Sequence, residues 1–365
     1  YNRIMLSPVL SGEKTIDDIM LHPHAWYSDK GIKFIADDPA VKIDRTRKVV
    51  HTQKGESVDY DRLIIATGSS PFIPPVQGVD LKGVISFRDI YDVNTMIKYC
   101  ETKKNAVVIG GGLLGLEAAY GLKQRGMNVT VLHLMDRIME RQLDGRASRM
   151  LRQSIEEKGI NIITEANTEA LIGQDGHVSQ VRLKDGTVLD ADLVVFAVGI
   201  RPNIALAQSA GLRCNRGILV NDTMQTFDPS IYAVGECIEH RNQTFGLVEP
   251  LWGQAFICAT HLAEHGSLTF KSPTVPTQLK VSGVDVFSAG NFEPKEDYED
   301  IILNDEKRQI YKRIIIQKDK VIGAVLFGDT EDGMWYAELI ADQTPISTFR
   351  NKLLFGKDFA MKKAG

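Results

Sequence analysis

Three glycines with the spacing G-x-G-x-x-G are the residues of this chain best suited to hold a phosphate. They are Gly110, Gly112 and Gly115, in the stretch NAVVIGGGLLGLEAA that starts at Asn105. The first glycine allows a tight turn, the second lets the backbone approach a pyrophosphate, and the third lets a helix pack closely on the preceding strand. The N-terminus of that helix offers free N–H groups and a partial positive charge to phosphate. A glycine-rich turn without a ligand is the alternative, but the flanking strand and helix patterns favour a dinucleotide site.

The residue expected to choose between the nicotinamide dinucleotides departs from the usual pattern. An Asp or Glu about 20 residues beyond the glycines normally ends the second strand and binds the ribose hydroxyls. Here His133 holds that place, with Asp136 and Arg137 just beyond it. A neutral histidine would still bond to the hydroxyls, whereas a protonated one with Arg137 would favour the 2′-phosphate of NADPH. The residues leave this choice open, together with a third interpretation of His133 as an ordinary surface residue at a strand end.

The elements that position these residues alternate between strands and helices. We predict a strand over 106–109, a helix over 112–125 with Gly126 as its stop, the strand NVTVLH, a helix near 144–158 and the strand INIIT. This βαβαβ order implies parallel strands with right-handed crossovers. Hairpin-like strands EALIG, VSQVRL and GTVLD follow, then a helix over about 250–264. The C-terminal part carries antiparallel strand patterns and a helix around 333–341, which indicates a separate α+β domain.

Composition and cysteine spacing exclude several classes of protein. The 365 residues are 43% hydrophobic and carry a net charge of −4 without a basic block, so a nucleic-acid role has no electrostatic support. No apolar run reaches the length of a membrane span. The first residues, YNRIMLSPVL, lack the pattern of a signal peptide. They also lack an initial Met, which is expected of a fragment. The four cysteines form neither a redox pair nor a metal-ligand cluster. We therefore expect a reduced cytoplasmic protein without a metal site, and not a disulfide reductase.

Two further stretches, LIIATGSSP at 63–71 and SIYAVGECIE at 230–239, each place a buried strand before a glycine turn. With the glycine loop and the GIRPN segment between them, their order resembles the pyridine-nucleotide–flavin oxidoreductases of the glutathione-reductase-like fold. Within that family the chain is most similar to the flavin-bearing N-terminal part of NADH-dependent assimilatory nitrite reductase large subunits. The motifs that carry this resemblance are YNRIMLSPVLSGEKTIDDI, ATGSSPFIPP, FRDIYDV, VVIGGGLLGLEAAYGLKQRGMNVTVLHLMDRIMERQLD, AVGIRPN, CNRGILVNDTMQT, IYAVGECIEHR and GLVEPLWGQA.

The resemblance implies an α/β fold with two Rossmann-like dinucleotide-binding domains and a C-terminal α+β domain. An FAD domain over 1–96 and 213–270 is interrupted by an NAD(P)-binding domain over 97–212, and the C-terminal domain covers 271–365. The glycine loop at 110 is then the second nucleotide site. The first βαβ unit of the FAD domain is expected to be missing upstream of Tyr1.

The resemblance also assigns cofactor-binding residues. Arg3 and Ser7 fall in the flavin and pyrophosphate region, and Ala66, Thr67 and Gly68 form the turn beside the FAD. Gly235 and Glu236 end the strand that binds the ribityl and pyrophosphate, with Glu236 in place of the usual Asp. Glu249 and Pro250 begin a helix whose N-terminus would point at the flavin. The remaining cofactor-binding residues are Leu113, Leu114 and Gly199, in addition to the glycine loop and His133.

Glu117 is the catalytic candidate, since the resemblance places it near the nicotinamide. An ordinary acid near a helix N-terminus, where negative charge is favoured, is the alternative. Trp252 and Trp335 are expected to be packing residues and the cysteines small buried hydrophobes.

The function implied is hydride transfer from NADH, with NADPH less expected, to FAD, and delivery of electrons to an iron–sulfur or sirohaem nitrite-reducing centre. Partners are then the nicotinamide dinucleotide and a redox domain or small redox protein, with neither nucleic acid nor membrane, and a homodimer stays open. The first rival is a stand-alone reductase of rubredoxin or ferredoxin. The second is a nucleotide-binding protein without FAD.

Overall fold

The computed structural model describes residues 1–266, 268–272, 276–281, 283–294 and 296–361. The helices are, in chain order, α1 (Leu6–Ser11), α2 (His24–Asp29), α3 (Ile90–Thr102), α4 (Leu113–Gln124), α5 (Gly145–Glu156), α6 (Ala205–Ser209), α7 (Glu249–Leu262), α8 (Gly333–Asp342) and α9 (Lys357–Ala360). The strands are β1 (Ala40–Asp44), β2 (Val49–Thr52), β3 (Ser57–Asp59), β4 (Leu63–Ile65), β5 (Ser69–Pro71), β6 (Val84–Ser86), β7 (Asn105–Ile109), β8 (Asn128–Leu132), β9 (Ile160–Ile163), β10 (Thr168–Gln174), β11 (His177–Leu183), β12 (Val188–Asp190), β13 (Leu193–Phe196), β14 (Ile200–Pro202), β15 (Ile218–Leu219), β16 (Ile231–Ala233), β17 (Ile238–His240), β18 (Gln243–Thr244), β19 (Thr277–Val281), β20 (Val284–Gly290), β21 (Glu299–Asp305), β22 (Ile310–Gln317) and β23 (Lys320–Phe327).

The chain divides into two compact units, each assembled from segments that are distant in sequence. The first unit comprises Tyr1, Met20–Phe72 and Gly199–Pro273, and the second comprises Asn2–Ile19, Ile73–Val198 and Thr274–Gly365. The boundaries between the two units therefore fall after residues 1, 19, 72, 198 and 273. The finer domain boundaries at 96, 212 and 270 stay predictions.

A parallel sheet forms the centre of the second unit. Its strand order is β6-β13-β7-β8-β9, and each pair of neighbours is parallel. Helices α4 and α5 connect β7 to β8 and β8 to β9, so the predicted βαβαβ arrangement is confirmed. All four residues of β13 are buried, as are Ala106 to Ile109 of β7. Continuous apolar strands of this kind are typical of a parallel sheet covered on both faces.

Helix α1 packs against α4 in the same unit. A Cβ on Gly121 would lie 2.7 Å from Cγ of the buried Leu10, so the two helices meet where α4 has no side chain. Past the end of α4, Arg125 Nη2 donates to the carbonyl of Val9 at 3.1 Å. The short helix α1 therefore packs beside the C-terminal half of α4.

The C-terminal part of the second unit is an antiparallel sheet with the order β19-β20-β23-β22-β21, and α8 packs on β20 and β23. Trp335 is buried in this core, as predicted for a packing residue. The same prediction for Trp252 is wrong, since its side chain is 70% exposed. It lies on the solvent side of α7, whose buried side carries Pro250, Gln254 and Ile257.

The first unit is built from small sheets. Strands β4 and β16 form a parallel pair, β5 and β14 an antiparallel pair, and β1-β2-β3 an antiparallel sheet. Because the carboxyl ends of parallel strands lie at one edge, the turns that follow β4 and β16 are brought together. The N–H of Val234 donates to the carbonyl of Ile65 at 3.0 Å there. Within the described residues, no helix combines the length and apolar character that crossing a membrane requires.

Candidate functional site

The glycine loop joins β7 to α4 in the second unit, and two of its glycines are required by the fold. Gly110 has a φ of 125°, and a Cβ on it would lie 2.3 Å from the carbonyl oxygen of Ala197. A Cβ on Gly115 would lie 1.9 Å from the carbonyl oxygen of Gly110. Gly112 differs, because a Cβ there would have no neighbour within 4 Å. The second glycine of the motif therefore faces open space, which is where a ligand would approach.

Among the described residues, no side-chain cap is recorded at the N-cap of α4. Gly112 is the N-cap residue and supplies no side chain to the N–H groups of the first turn. Leu113 and Leu114 open the helix, and the side chain of Leu114 is exposed. Unpaired N–H groups and the helix dipole favour a phosphate at such an end. The loop thus fits the pyrophosphate of a dinucleotide in both space and charge.

His133 does not stand at the surface, as the third interpretation of this residue supposed. Its side chain follows β8 directly and is buried beside the glycine loop. Nδ1 lies 3.0 Å from the backbone nitrogen of Gly111, which donates to it, and Nε2 lies 3.1 Å from Oε2 of Glu140. Both ring nitrogens are thus used within the chain. Arg137, the other predicted partner of a 2′-phosphate, forms an ion pair with Glu293.

Glu117 lies on α4 and is bonded to a residue from the start of the chain. Ser7 Oγ on α1 donates to Glu117 Oε2 at 2.5 Å. Burial raises the pKa of Glu117 and the hydroxyl of Ser7 opposes that rise. Arg3 lies in a single 3-10 turn, Arg3–Met5, directly before α1. Glu117 is therefore a partly buried carboxyl with a fixed partner, and not a solvated acid at a helix start.

In the first unit the ATG turn and the GIRPN segment are joined by hydrogen bonds. Ala66 follows β4, and Thr67 Oγ1 donates to the carbonyl of Asn203 at 2.7 Å. In return, Asn203 Nδ2 donates to the carbonyl of Thr67 at 2.9 Å. The backbone N–H of Asn203 donates to the carbonyl of Gly68. Gly68 and Gly199 both have positive φ angles, at 63° and 110°, which a glycine tolerates without strain.

The turn after β16 carries a buried carboxyl group. Glu236 is 3% exposed, and Ser69 Oγ donates to its Oε2 at 2.9 Å. The N–H of the neighbouring Gly235 donates to Oε1 of Gln254 at 2.8 Å. Gln254 is fully buried, and its Nε2 has no hydrogen-bond partner among the residues that the structure describes. A buried amide without an acceptor is costly unless a ligand or water supplies one.

Helix α7, which carries Gln254, begins with Glu249 and Pro250 as predicted. Proline suits the first turn, where its missing N–H costs no hydrogen bond. The four cysteines are free thiols, with Cys237 and Cys258 buried and Cys100 and Cys214 partly buried. Burial raises the pKa of each thiol, which makes none of them an activated nucleophile.

The sequence-based predictions did not include five residues of these sites. They are Gly111, Glu140, Ser69, Asn203 and Gln254. Ser69 and Asn203 lie inside the motifs ATGSS and GIRPN, so a wider choice within each motif would have included them. Glu140 lies seven residues beyond His133 and Gln254 one helical turn beyond Pro250. Both also lie inside quoted motifs, the long glycine-loop motif and GLVEPLWGQA, but nothing within those motifs distinguishes them from surface residues.

Comparison with known proteins gives matches along most of the chain. A family model described as pyridine nucleotide-disulphide oxidoreductase matches residues 1–255, and one described as rubredoxin NAD+ reductase C-terminal domain matches residues 276–344. The nitrite reductase (NAD(P)H) of Bacillus subtilis (strain 168) is 48% identical over 347 residues, which are 95% of this chain and 43% of that protein. The chain therefore spans less than half the length of this relative.

Two further proteins resemble the chain. The assimilatory nitrate reductase electron transfer subunit of Bacillus subtilis (strain 168) is 42% identical, covering 97% of this chain and 46% of that protein. Among solved structures, NADH:rubredoxin oxidoreductase from Clostridium acetobutylicum is similar with a TM-score of 0.81 and 28% identity, over 97% of this chain and 89% of that one. The predicted α/β fold with Rossmann-like sheets and an added C-terminal domain is confirmed by these matches.

Proposed function

The chain belongs to the pyridine nucleotide-disulphide oxidoreductase family, and from this premise we propose that it oxidises NADH with a bound FAD. It then delivers the electrons to an iron–sulfur or sirohaem centre that reduces nitrite. The observation that carries the NADH site is the glycine loop, where the fold requires Gly110 and Gly115 but leaves open space at Gly112. The bound FAD supplies an acceptor for the hydride and a donor of single electrons.

The glycine loop of the second unit holds the dinucleotide. Gly112 lets the backbone approach the pyrophosphate, while the N–H groups of Leu113 and Leu114 donate to it. Gly110 and Gly115 let α4 start close to β7, so the helix end is placed by packing within the chain. Rigid donors lose little conformational entropy on binding.

The first unit supplies the residues for FAD. Ala66, Thr67 and Gly68 line one turn, Gly235 and Glu236 another, and the start of α7 at Glu249 and Pro250 a third. The buried Nε2 of Gln254 supports this assignment, since an acceptor oxygen of the cofactor would satisfy it. The carboxylate of Glu236, which accepts from Ser69 Oγ, would also accept from hydroxyl groups of the cofactor. The flavin roles of Arg3, Ser7 and Gly199 stay predictions.

Glu117 orients the nicotinamide in this proposal. Its carboxyl is partly buried and held by Ser7, so it has a defined position on α4. No side chain is required to move a proton during hydride transfer, and the protein acts by positioning. Glu117 therefore affects the geometry of the bound nicotinamide more than the chemistry of the step.

The assignment of the electron acceptor is supported by the two Bacillus subtilis relatives, which are named for nitrite and nitrate reduction. The alternative acceptor is a rubredoxin or ferredoxin. It is favoured by the match of residues 276–344 to a rubredoxin reductase domain and by the similarity to a rubredoxin oxidoreductase.

The test is a spectroscopic one on the purified protein after incubation with FAD and removal of the excess. We expect flavin absorbance bands that bleach anaerobically on addition of NADH, and NADH-dependent reduction of ferricyanide. Bound flavin that NADH cannot reduce would refute the proposal, and a protein that binds NADH without flavin would favour the non-catalytic rival. Turnover of nitrite by the native full-length protein, compared with turnover of added rubredoxin, distinguishes the two acceptors.

A further inference from the structure

We propose that Glu140, positioned by His133, is the carboxylate that recognises the adenosine ribose of NADH and discriminates against NADPH. The inference rests on the proposed function, because it concerns the same dinucleotide site. In most dinucleotide folds the acid stands at the end of the second strand, where it accepts from the ribose 2′-hydroxyl. Here β8 ends at Leu132, and the next residue is His133. The acid is supplied instead from seven residues further along the chain.

Two independent contacts connect Glu140 to the glycine loop. Through side chains, Gly111 N–H donates to His133 Nδ1 at 3.0 Å, and His133 Nε2 lies 3.1 Å from Glu140 Oε2. Through the backbone, the N–H of Met139 donates to the carbonyl of Gly111 at 3.0 Å. Met139 has a φ of 53° and a fully buried side chain, so the residue before Glu140 is fixed. The carboxylate is thus held beside the loop that would bind the pyrophosphate.

The hydrogen bonds also define the protonation of the histidine. Because the N–H of Gly111 donates to Nδ1, that nitrogen carries a lone pair, and the ring proton is on Nε2. Nε2–H then donates to Oε2 of Glu140, while Oε1 lies 3.9 Å from Nε of Arg141. A protonated ring could not accept from Gly111. His133 is therefore a positioning residue, and Glu140 is the residue that would contact the ribose directly.

The surroundings of Glu140 suit the adenosine end of a dinucleotide. Its side chain is 26% exposed, so Oε1, whose ion pair with the exposed Arg141 is long at 3.9 Å, is within reach of a ligand. Leu134 and Met135, directly after His133, are exposed apolar side chains on which a purine could rest. A 2′-phosphate would meet the negative charge of Glu140. Arg137 is engaged by Glu293, and Arg141 extends into solvent with its Nε 3.9 Å from Glu140 Oε1.

The experiment measures equilibrium binding of two probes that do not require flavin, ADP-ribose and its 2′-phosphorylated counterpart, by calorimetry. The wild type should bind ADP-ribose more tightly than the phosphorylated probe. Glu140→Gln should weaken ADP-ribose about tenfold or more and should strengthen the phosphorylated probe, which reverses or removes the preference. Glu169→Gln, the same charge change at an exposed ion pair on β10, serves as the matched control and should leave both affinities unchanged.

His133→Asn tests the positioning role, since its amide oxygen can still accept from Gly111 while the contact with Glu140 is lost. We expect the same change in the ratio of the two affinities as in Glu140→Gln, and little further change in the double variant. Equal weakening of both probes, or no change in Glu140→Gln, would overturn the inference while leaving the proposed function intact. A wild type that binds neither probe would overturn both.

Discussion

Ser7 and Glu117 form a hydrogen bond between α1 and α4 although 110 positions separate them in the sequence. The hydroxyl donates to a carboxylate oxygen at 2.5 Å in a partly buried setting. Burial raises the pKa of Glu117, and this hydrogen bond opposes the rise by stabilising the ionised form. The pair therefore couples the protonation of a proposed nicotinamide-site residue to the stability of the fold.

The first prediction follows from that raised pKa. Between the unfolded and folded pKa values the folded protein binds more protons, so the free energy of unfolding falls as pH rises, by about 1.4 kcal/mol per pH unit at most. Glu117→Gln does not titrate and keeps an acceptor for Ser7. Its stability relative to wild type should therefore grow as pH rises from about 4.3, the ordinary value for glutamate.

Urea denaturation of both proteins across this pH range measures the effect. Ser7→Ala removes the opposing hydrogen bond, which should raise the pKa of Glu117 further. The fall in the free energy of unfolding should then continue to higher pH than in the wild type. If the free energies of unfolding of wild type and Glu117→Gln differ by the same amount at every pH, the pKa of Glu117 is not raised in the folded protein.

The second prediction compares two glycines of one motif. Gly112→Ala should leave the free energy of unfolding within about 1 kcal/mol of wild type, because the new methyl group has open space and an ordinary φ of −82°. It should weaken NADH binding about tenfold or more, because the methyl group occupies the approach of the pyrophosphate. Gly115→Ala should instead destabilise the fold by about 3 kcal/mol, because its methyl group would collide with Gly110. Thermal unfolding and NADH titration of both variants separate the two effects, and unimpaired binding by Gly112→Ala would exclude close contact there.

The third prediction concerns the buried carboxylate of Asp144. It caps α5 by accepting from the N–H of Ala147 at 2.9 Å, and it accepts from Tyr311 at 2.8 Å and from Arg313 at 3.2 Å on the C-terminal sheet. Asp144→Ala should destabilise the protein by about 3–5 kcal/mol, since it leaves the partly buried Arg313 and the buried Tyr311 each with one partner fewer and α5 without its cap. Asp144→Asn keeps a capping oxygen and should cost less.

Chemical denaturation of the Asp144 variants measures their free energies of unfolding. The exposed pair of Glu169 and Arg182 provides the comparison, because Glu169→Gln should change stability by less than about 1 kcal/mol. Equal stability of Asp144→Asn, Asp144→Ala and wild type would show that the network contributes nothing.

The fourth prediction concerns Gln254 and the FAD site. Gln254→Glu keeps the acceptor for the N–H of Gly235 but replaces the buried Nε2 donor by an acceptor. We expect FAD to bind about tenfold more weakly, as for the loss of one buried hydrogen bond. Flavin fluorescence quenching measures the affinity, and Gln208→Glu on the exposed face of α6 is the control. Unchanged affinity in Gln254→Glu would mean that its amide does not meet the cofactor.

The sequence by itself determined the local elements and the loop between them. The spacing of Gly110, Gly112 and Gly115 predicts a strand, a turn and a close helix, because each glycine has its own part in a dinucleotide loop. The restriction on Gly115 is local, since a Cβ there would meet the carbonyl oxygen of Gly110. The same local rules predicted β7, α4 and their parallel neighbours, the helix over about 250–264, and the antiparallel C-terminal sheet. The order of the motifs along the chain was enough to indicate the family.

Only the tertiary structure decided which side chains meet. Thr67 bonds to Asn203 across 136 positions and Ser7 to Glu117 across 110, and such contacts depend on how the elements pack, which no local periodicity encodes. His133 has a strand-end position in the sequence, yet its burial and its two partners follow from the way the segment after β8 folds back on Gly111. Glu140 and Gln254 have unremarkable sequence surroundings, because the physical constraint on each is a partner brought near by the fold.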